Sequence, residues 1–386
     1  MLLTASVASG AAHVPDNDSV VVERLPPAFL ALRGIRSSVP GAAALVDTNS
    51  PLKLEDALAN ARRYIEVGQT YSDPRAYGYA QAALGKWWSA DPAPTEVLVM
   101  RARILQFRHE FPAALAQLEA ALRADQFDPN AWLLFASISQ VQGNVRAARS
   151  ACLKLIPMAD PLVGATCAAS TAALGGHGDT AEPLLSNALQ QASVASPAER
   201  TWAWTTLAEI RARGENNAGA EAAFGEALRI SPDDVYARAA YADLLLDLDR
   251  PREARVLLRD PTQADALLLR AAIAAQRNHD ADAATLQEDL AQRFSEARAR
   301  GDNTHLREQA RFALEVEHDA AHALDLARRN FKVQQEPADA RVLLEAAHAA
   351  ADATAAQPAI EWLQRTGIHA PRLQQLARAT TKERAG

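Results

Sequence analysis

The sequence predicts an all-α architecture built from repeated helical hairpins, on three observations. The chain of 386 residues is 49% apolar but only 5% aromatic, with alanine in every segment, and alanine has the highest helix propensity. Apolar runs of about 12–18 residues alternate with short breakers, most of them Asp-Pro. The stretch from Trp202 to Ala254 states one pattern twice: Trp202 returns as Tyr236, Ala208 as Ala242 and Ala220 as Ala254, each 34 residues later.

Taken in order, residues 1–50 lack a helical period and read as an extended arm, because Pro26 and Pro27 restrict the backbone around Val20–Pro27. The opening "MLLTASVASGAA" is apolar, with small residues from Ser9 to Ala12 that suit a signal peptidase, yet the first basic residue is Arg24. Two readings follow: an exported or periplasmic protein, and a cytoplasmic one with a plain N-terminus. Residues 51–369 read as one solenoid. Its breakers are Asp73-Pro74, Asp91-Pro92, Asp128-Pro129, Asp160-Pro161, Ser231–Asp234, Asp260-Pro261, residues 300–303 and Glu336-Pro337. Proline after a helix cannot continue it, and aspartate caps the next one. Residues 370–386 read as a capping helix with a charged tail.

Within a unit, a small residue sits mid first helix and another twelve positions later, as at Ala208 and Ala220. Two crossing backbones need small side chains where they approach, while Trp204, Leu207, Phe224 and Leu228 fill the flanks. The same spacing relates Leu98, Ala102, Ala114 and Leu118 to Trp132, Ala136, Ala148 and Cys152.

The series Trp204, Leu207-Ala208, Gly214, Ala220, Phe224, Ala227-Leu228, Pro232 resembles a tetratricopeptide repeat. The resemblance covers about 80% of the chain in about eight or nine units, clearest near residues 95, 130, 199 and 235 and weakest near 263. It implies a right-handed α-solenoid whose first helices line a concave groove. It also implies a non-enzymatic scaffold with no cofactor, whose partner is a protein or peptide segment. The alternative reading is an accessory subunit of an envelope, export or metal-handling system with a ligand-contacting C-terminal region. Repeat register puts Arg103, Phe107, Ser137, Gln140, Trp202, Glu209, Arg213, Tyr236 and Asp243 in that groove. The best known peptide binders of this kind clamp a terminal carboxylate with lysine and asparagine. Here Arg103, Ser137, Glu209 and Asp243 stand there instead, so capture of an acidic tail is not expected.

The net charge of -7 gives no electrostatic footprint for nucleic acid. No stretch approaches the roughly 20 apolar residues that span a bilayer. Gly176-x-Gly178-x-x-Ala181 matches the dinucleotide fingerprint, but that motif works only after a strand, and the text before it is helical. His318 and His322, four apart, would share a helix face beside Glu317 and Asp319, as metal donors or as a solvated helix start. No metal site is assigned. The densest charge cluster, "RGDNTHLREQARF" at residues 300–312, reads either as a loop tied by internal ion pairs or as a partner-facing one. The pair Trp87-Trp88 reads as helix-end packing of the first unit.

Cys152 lies five residues before Pro157 and Cys167 six after Pro161, so antiparallel helices bring them to one level. Helix axes pack about 8–10 Å apart, whereas a disulfide wants Cα atoms within about 7 Å. The pair is a disulfide only where Ala148, Ala151 and Ala168 let the helices close; otherwise it is two buried thiols.

Overall fold

The structure, a computed structural model, describes residues 53–71, 75–261, 264–302 and 304–382. The expected N-terminal arm, its export signal, the Asp73-Pro74 breaker and Asn303 lie outside the described residues. Among the described residues there are nineteen α-helices and no strand.

Eighteen of the helices form nine consecutive hairpins. They are α1 (Leu54–Tyr71) with α2 (Arg75–Leu84), α3 (Thr95–Phe107) with α4 (Phe111–Ala124), and α5 (Pro129–Val141) with α6 (Val145–Leu155). Next come α7 (Pro161–Leu174) with α8 (Gly178–Gln191), α9 (Pro197–Arg213) with α10 (Asn217–Ile230), and α11 (Val235–Asp247) with α12 (Pro251–Leu257). The last are α13 (Asp265–Asn278) with α14 (Ala283–Ala299), α15 (Leu306–Glu315) with α16 (Ala320–Phe331), and α17 (Pro337–Ala349) with α18 (Gln357–Thr366). A final helix, α19 (Pro371–Lys382), follows them.

The breakers act mainly as helix starts. Pro129, Pro161, Pro197, Pro251 and Pro337 open α5, α7, α9, α12 and α17, where a missing N–H costs nothing. Asp128 accepts from the backbone N–H of Asn130 and Ala131, and Asp160 from Leu162. Ser196 and Glu199 form a reciprocal capping box at α9.

The repeated small residues meet where the sequence spacing demands. Ala102, Ala114, Ala136, Ala148, Ala208, Ala220, Ala242 and Ala254 are all fully buried. A larger side chain at any of them would force two helices apart. Phe224 stacks on Tyr241 of the following unit, ring centres 5.3 Å apart, which couples neighbours along the array.

Cys152 on α6 and Cys167 on α7 form a disulfide with Cα atoms 5.6 Å apart. The close approach is made by small neighbours: Ala148 and Ala151 are buried, and Gly164 lies against Ile156.

The array does not stay open. The backbone N–H of Gln335 donates to the carbonyl of Val141 at 2.7 Å. Leu174 packs into the core of the C-terminal units. At Gly176 (φ +85°) a methyl group would overlap the carbonyl of Gly367, so only glycine permits this seam. The superhelix therefore coils until its eighth and ninth hairpins touch its third and fourth.

Of the two readings of His318 and His322, the helix start describes the structure. His318 stands in a left-handed turn (φ 56°) before α16, not on its face. Asp319 wins the position as N-cap by accepting from His322 N–H at 2.9 Å, so the helix starts one residue after it.

Candidate functional site

The expected groove residues come from α3, α5, α9 and α11, which are first helices of their hairpins. The structure divides the inner face into two parts.

From Glu209 onward the inner face is tied up by its own charges. The Tyr236 hydroxyl donates to Glu209 at 2.6 Å. Asp243 accepts from Arg270 at 2.7 and 3.1 Å and from Arg311 at 2.8 Å. Arg311 also holds Glu315 at 2.9 Å. Arg307 stands 3.3 Å from both Glu336 and Asp339, and Asn330 donates to Asp339 at 2.7 Å. Arg341 bridges Glu345 at 2.7 Å and Asp247 at 2.8 Å, and Arg372 reaches Asp247 at 3.1 Å. Thus Arg307, Glu308 and Arg311 of the 300–312 cluster face the chain's own helices. Of its two readings, internal ion pairing describes these three residues.

The electrostatics follow from this crowding. Burial alone would raise the Asp243 carboxyl, but the Arg270 and Arg311 guanidiniums outweigh it and hold it far below the usual carboxylate range. Glu308 behaves alike, with Arg307 and Arg270 offsetting its burial. Glu336 goes the other way. Burial and the neighbouring Asp339 push it up to about 7, against the pull of Arg307. Glu209 and burial drive the Tyr236 hydroxyl well above its ordinary value. His109, in the turn between α3 and α4, is lowered to about 4 by burial and by the nearby His305. The second unit therefore lies within electrostatic reach of the eighth across the interior.

The remaining expected groove residues, with the exposed ring of Tyr236, are less committed to ion pairs. Phe107 is used internally, stacked on Tyr77 with ring centres 3.5 Å apart. Gln140 donates to Thr171 at 2.6 Å and accepts from Ser170 at 3.4 Å. Arg103, Ser137 and Arg213 are half-buried. Trp202 is 37% exposed and Tyr236 is 61% exposed, at the same repeat position on α9 and α11.

The other expectations resolve individually. Gly176 and Gly178 follow helix α7, without the strand a dinucleotide site requires. The C-terminal histidines diverge: His318 pairs with Gln276 at 3.1 Å and His322 lies 4.0 Å from Glu317. Among the described residues no three His, Cys, Asp or Glu side chains gather as a metal would need. Trp87 and Trp88 lie in a 3-10 turn (Gly85–Ser89), half-buried against the first unit, where Arg101 donates to the carbonyl of Trp87 at 2.8 Å. Sequence reasoning missed Arg270, Arg341, Glu336 and Asp339 as charge partners. The signal was present: Arg270 and Glu336 follow Asp243 and Arg307 by 27 and 29 residues, close to one repeat.

No family model and no curated protein matches the sequence. Among solved structures, human IFIT1, determined as a dimer with m7Gppp-AAAA, is similar at 13% identity with a TM-score of 0.52, over 88% of this chain and 77% of that one. The type IV pilus biogenesis factor PilW is similar at 17% identity with a TM-score of 0.42, over 52% and 93%. A thermophilic TPR protein from Thermus thermophilus is similar at 19% identity with a TM-score of 0.40, over 50% and 100%. The described residues, nine helical hairpins stacked in series, form an all-α solenoid.

Proposed function

We propose that this protein is a non-enzymatic interaction scaffold that takes an extended segment or helix of a partner protein along the inner face of the solenoid. The observation that carries the reading is the pair Trp202 and Tyr236, two large, exposed rings one repeat apart on adjacent first helices. Exposed aromatics at equivalent positions are what a peptide-binding surface uses as anchors. Arg103, Ser137 and Arg213 supply polar groups on the first helices of the second, third and fifth hairpins. Glu209 and Asp243 act differently: their bonds to Tyr236, Arg270 and Arg311 shape the groove wall rather than meet the ligand. Phe107 and Gln140 are likewise wall residues.

The Cys152–Cys167 disulfide supports an oxidising compartment, and with it the exported or periplasmic reading. The division into an arm (1–50), a solenoid (51–369) and a capping segment (370–386) belongs to the same proposal.

The test is affinity capture from the native host's extract with the full chain and with a Trp202→Ala, Tyr236→Ala double variant of unchanged helicity. A specific partner retained by the first and lost by the second supports the inner face. An identical catch from both refutes it.

A further inference from the structure

A second surface lies between α6 and α8. It is a half-open trough of about 1050 Å³. Its floor is made of small residues, Ala168 and Ala172 of α7 and Gly175 at its C-terminal cap. Its walls are Leu153 and Ile156 of α6 and Leu184 of α8, which are 61%, 45% and 46% exposed. Exposed aliphatic side chains converging on one concavity mark a contact surface far more than scattered ones do.

The charge of this trough is opposite to that of the molecule. The chain carries 47 acidic against 40 basic residues, yet Arg146, Arg149 and Arg365 line the trough and no carboxylate does. On α6 the order Arg146, Arg149, Leu153, Ile156 follows i, i+3, i+7, i+10, one continuous helix face. That face is cationic in its first half and apolar in its second. Arg146 and Arg149 are exposed and hold no ion pair among the described residues. Arg365 donates to Gln335 at 2.8 Å and closes one end.

We propose that this trough docks an acidic amphipathic helix of a partner protein, with aliphatic side chains against Leu153, Ile156 and Leu184 and carboxylates against Arg146 and Arg149. The dimensions fit. From Arg146 to Ile156 the face runs about 15 Å, three turns of a docked helix. Within the chain's own arm the apolar stretch, residues 19–40, carries three arginines and one glutamate, the wrong sign for this trough, although residues 1–50 as a whole carry four acidic residues and three basic ones. None of the expected groove residues lines this surface.

The probe is a displayed library of random 16-residue peptides selected on the full chain, with hits measured by fluorescence anisotropy. Enriched peptides are expected to combine spaced aliphatics with glutamate or aspartate. They should lose at least tenfold affinity on a Leu153→Glu, Ile156→Glu variant, whose substitutions sit at exposed positions and whose fold is checked by circular dichroism. The Arg146→Glu, Arg149→Glu variant should invert the preference, binding lysine-for-glutamate versions of the same peptides better. The proposal is overturned if no peptide depends on Leu153 and Ile156, or if the enriched peptides are basic. It is equally overturned if binding is lost on the Trp202→Ala, Tyr236→Ala variant instead. Displacement by a synthetic peptide of residues 19–40 would assign the trough to the chain's own arm. Leu153-dependent binding to phosphatidylglycerol vesicles without any peptide hit would assign it to membrane.

Discussion

Replacing Asp243 by alanine removes the carboxylate that two nearly buried arginines share. Arg270 and Arg311 are 7% and 8% exposed. Taking away one partner of a buried ion pair costs about 3–5 kcal/mol, because an uncompensated charge stays behind. Two features lower that here. Arg311 keeps Glu315 at 2.9 Å and Arg270 keeps the Ala266 carbonyl at 3.0 Å. The Asp243 side chain is itself 26% exposed, so water can enter the vacated space. The expected loss is about 2–4 kcal/mol for Asp243→Ala and about 1–2 kcal/mol for Asp243→Asn, which keeps an acceptor but no charge. Urea unfolding followed by circular dichroism at 222 nm reads both, provided the slope m stays that of the parent. Adding Arg270→Met to Asp243→Ala should restore part of the loss, since the stranded cation is then gone. A cost below about 0.5 kcal/mol for both single variants would mean that the pair behaves as an exposed one, and the reasoning would fail.

Three further outcomes are expected. Reducing the Cys152–Cys167 bond, which closes a 15-residue separation, should lower stability by about 3 kcal/mol in the same assay. Gly176→Ala should cost about 2 kcal/mol or more, because its φ is +85° and its methyl would strike Gly367. Gly178→Ala, two residues on with nothing within 4 Å of the added carbon, should be close to neutral. The raised Glu336 carboxyl keeps its proton in the folded chain between about 4.5 and 7, where the unfolded chain has lost it. Its contribution is therefore full below pH 4.5 and disappears as pH rises through 7. Glu336→Gln should gain stability relative to the parent between pH 5 and pH 8; a difference constant with pH would show that Glu336 titrates normally.

The hairpins were legible because they are local. An alanine mid-helix with its partner twelve residues on, as at Ala208 and Ala220, encodes a crossing within one unit, and the 34-residue return encodes the next. The cysteine pair was legible for the same reason, its two positions flanking a single turn, although spacing alone left the bond undecided. Four of the expected groove residues are engaged within the chain. Glu209, Asp243, Gln140 and Phe107 serve neighbours on other helices, and those partnerships depend on how far the superhelix coils. Coiling is the sum of small rotations between units, which no short window of sequence contains. Arg341 meeting Asp247 across 94 positions is a product of that sum. At His318 the choice between two sequence readings was made on a different scale, where a single aspartate cap outweighed a four-residue spacing.

The seam between the C-terminal hairpins and the third and fourth has a kinetic consequence. In a linear array, folding can begin in any unit and spread to its neighbours, and an end can fray alone. Joining Gln335 to Val141 and Arg372 to Asp247, 125 positions away in the latter case, adds pairings that can form only after the intervening helices exist. Closing a loop of that span costs about 2 kcal/mol more in chain entropy than closing a 15-residue one. The hairpins should therefore zip first and the ring shut last, as a separate slower phase. Once it is shut, the carboxyl-terminal helices can no longer peel away independently, and truncating them should lower the resistance to unfolding of hairpins far upstream.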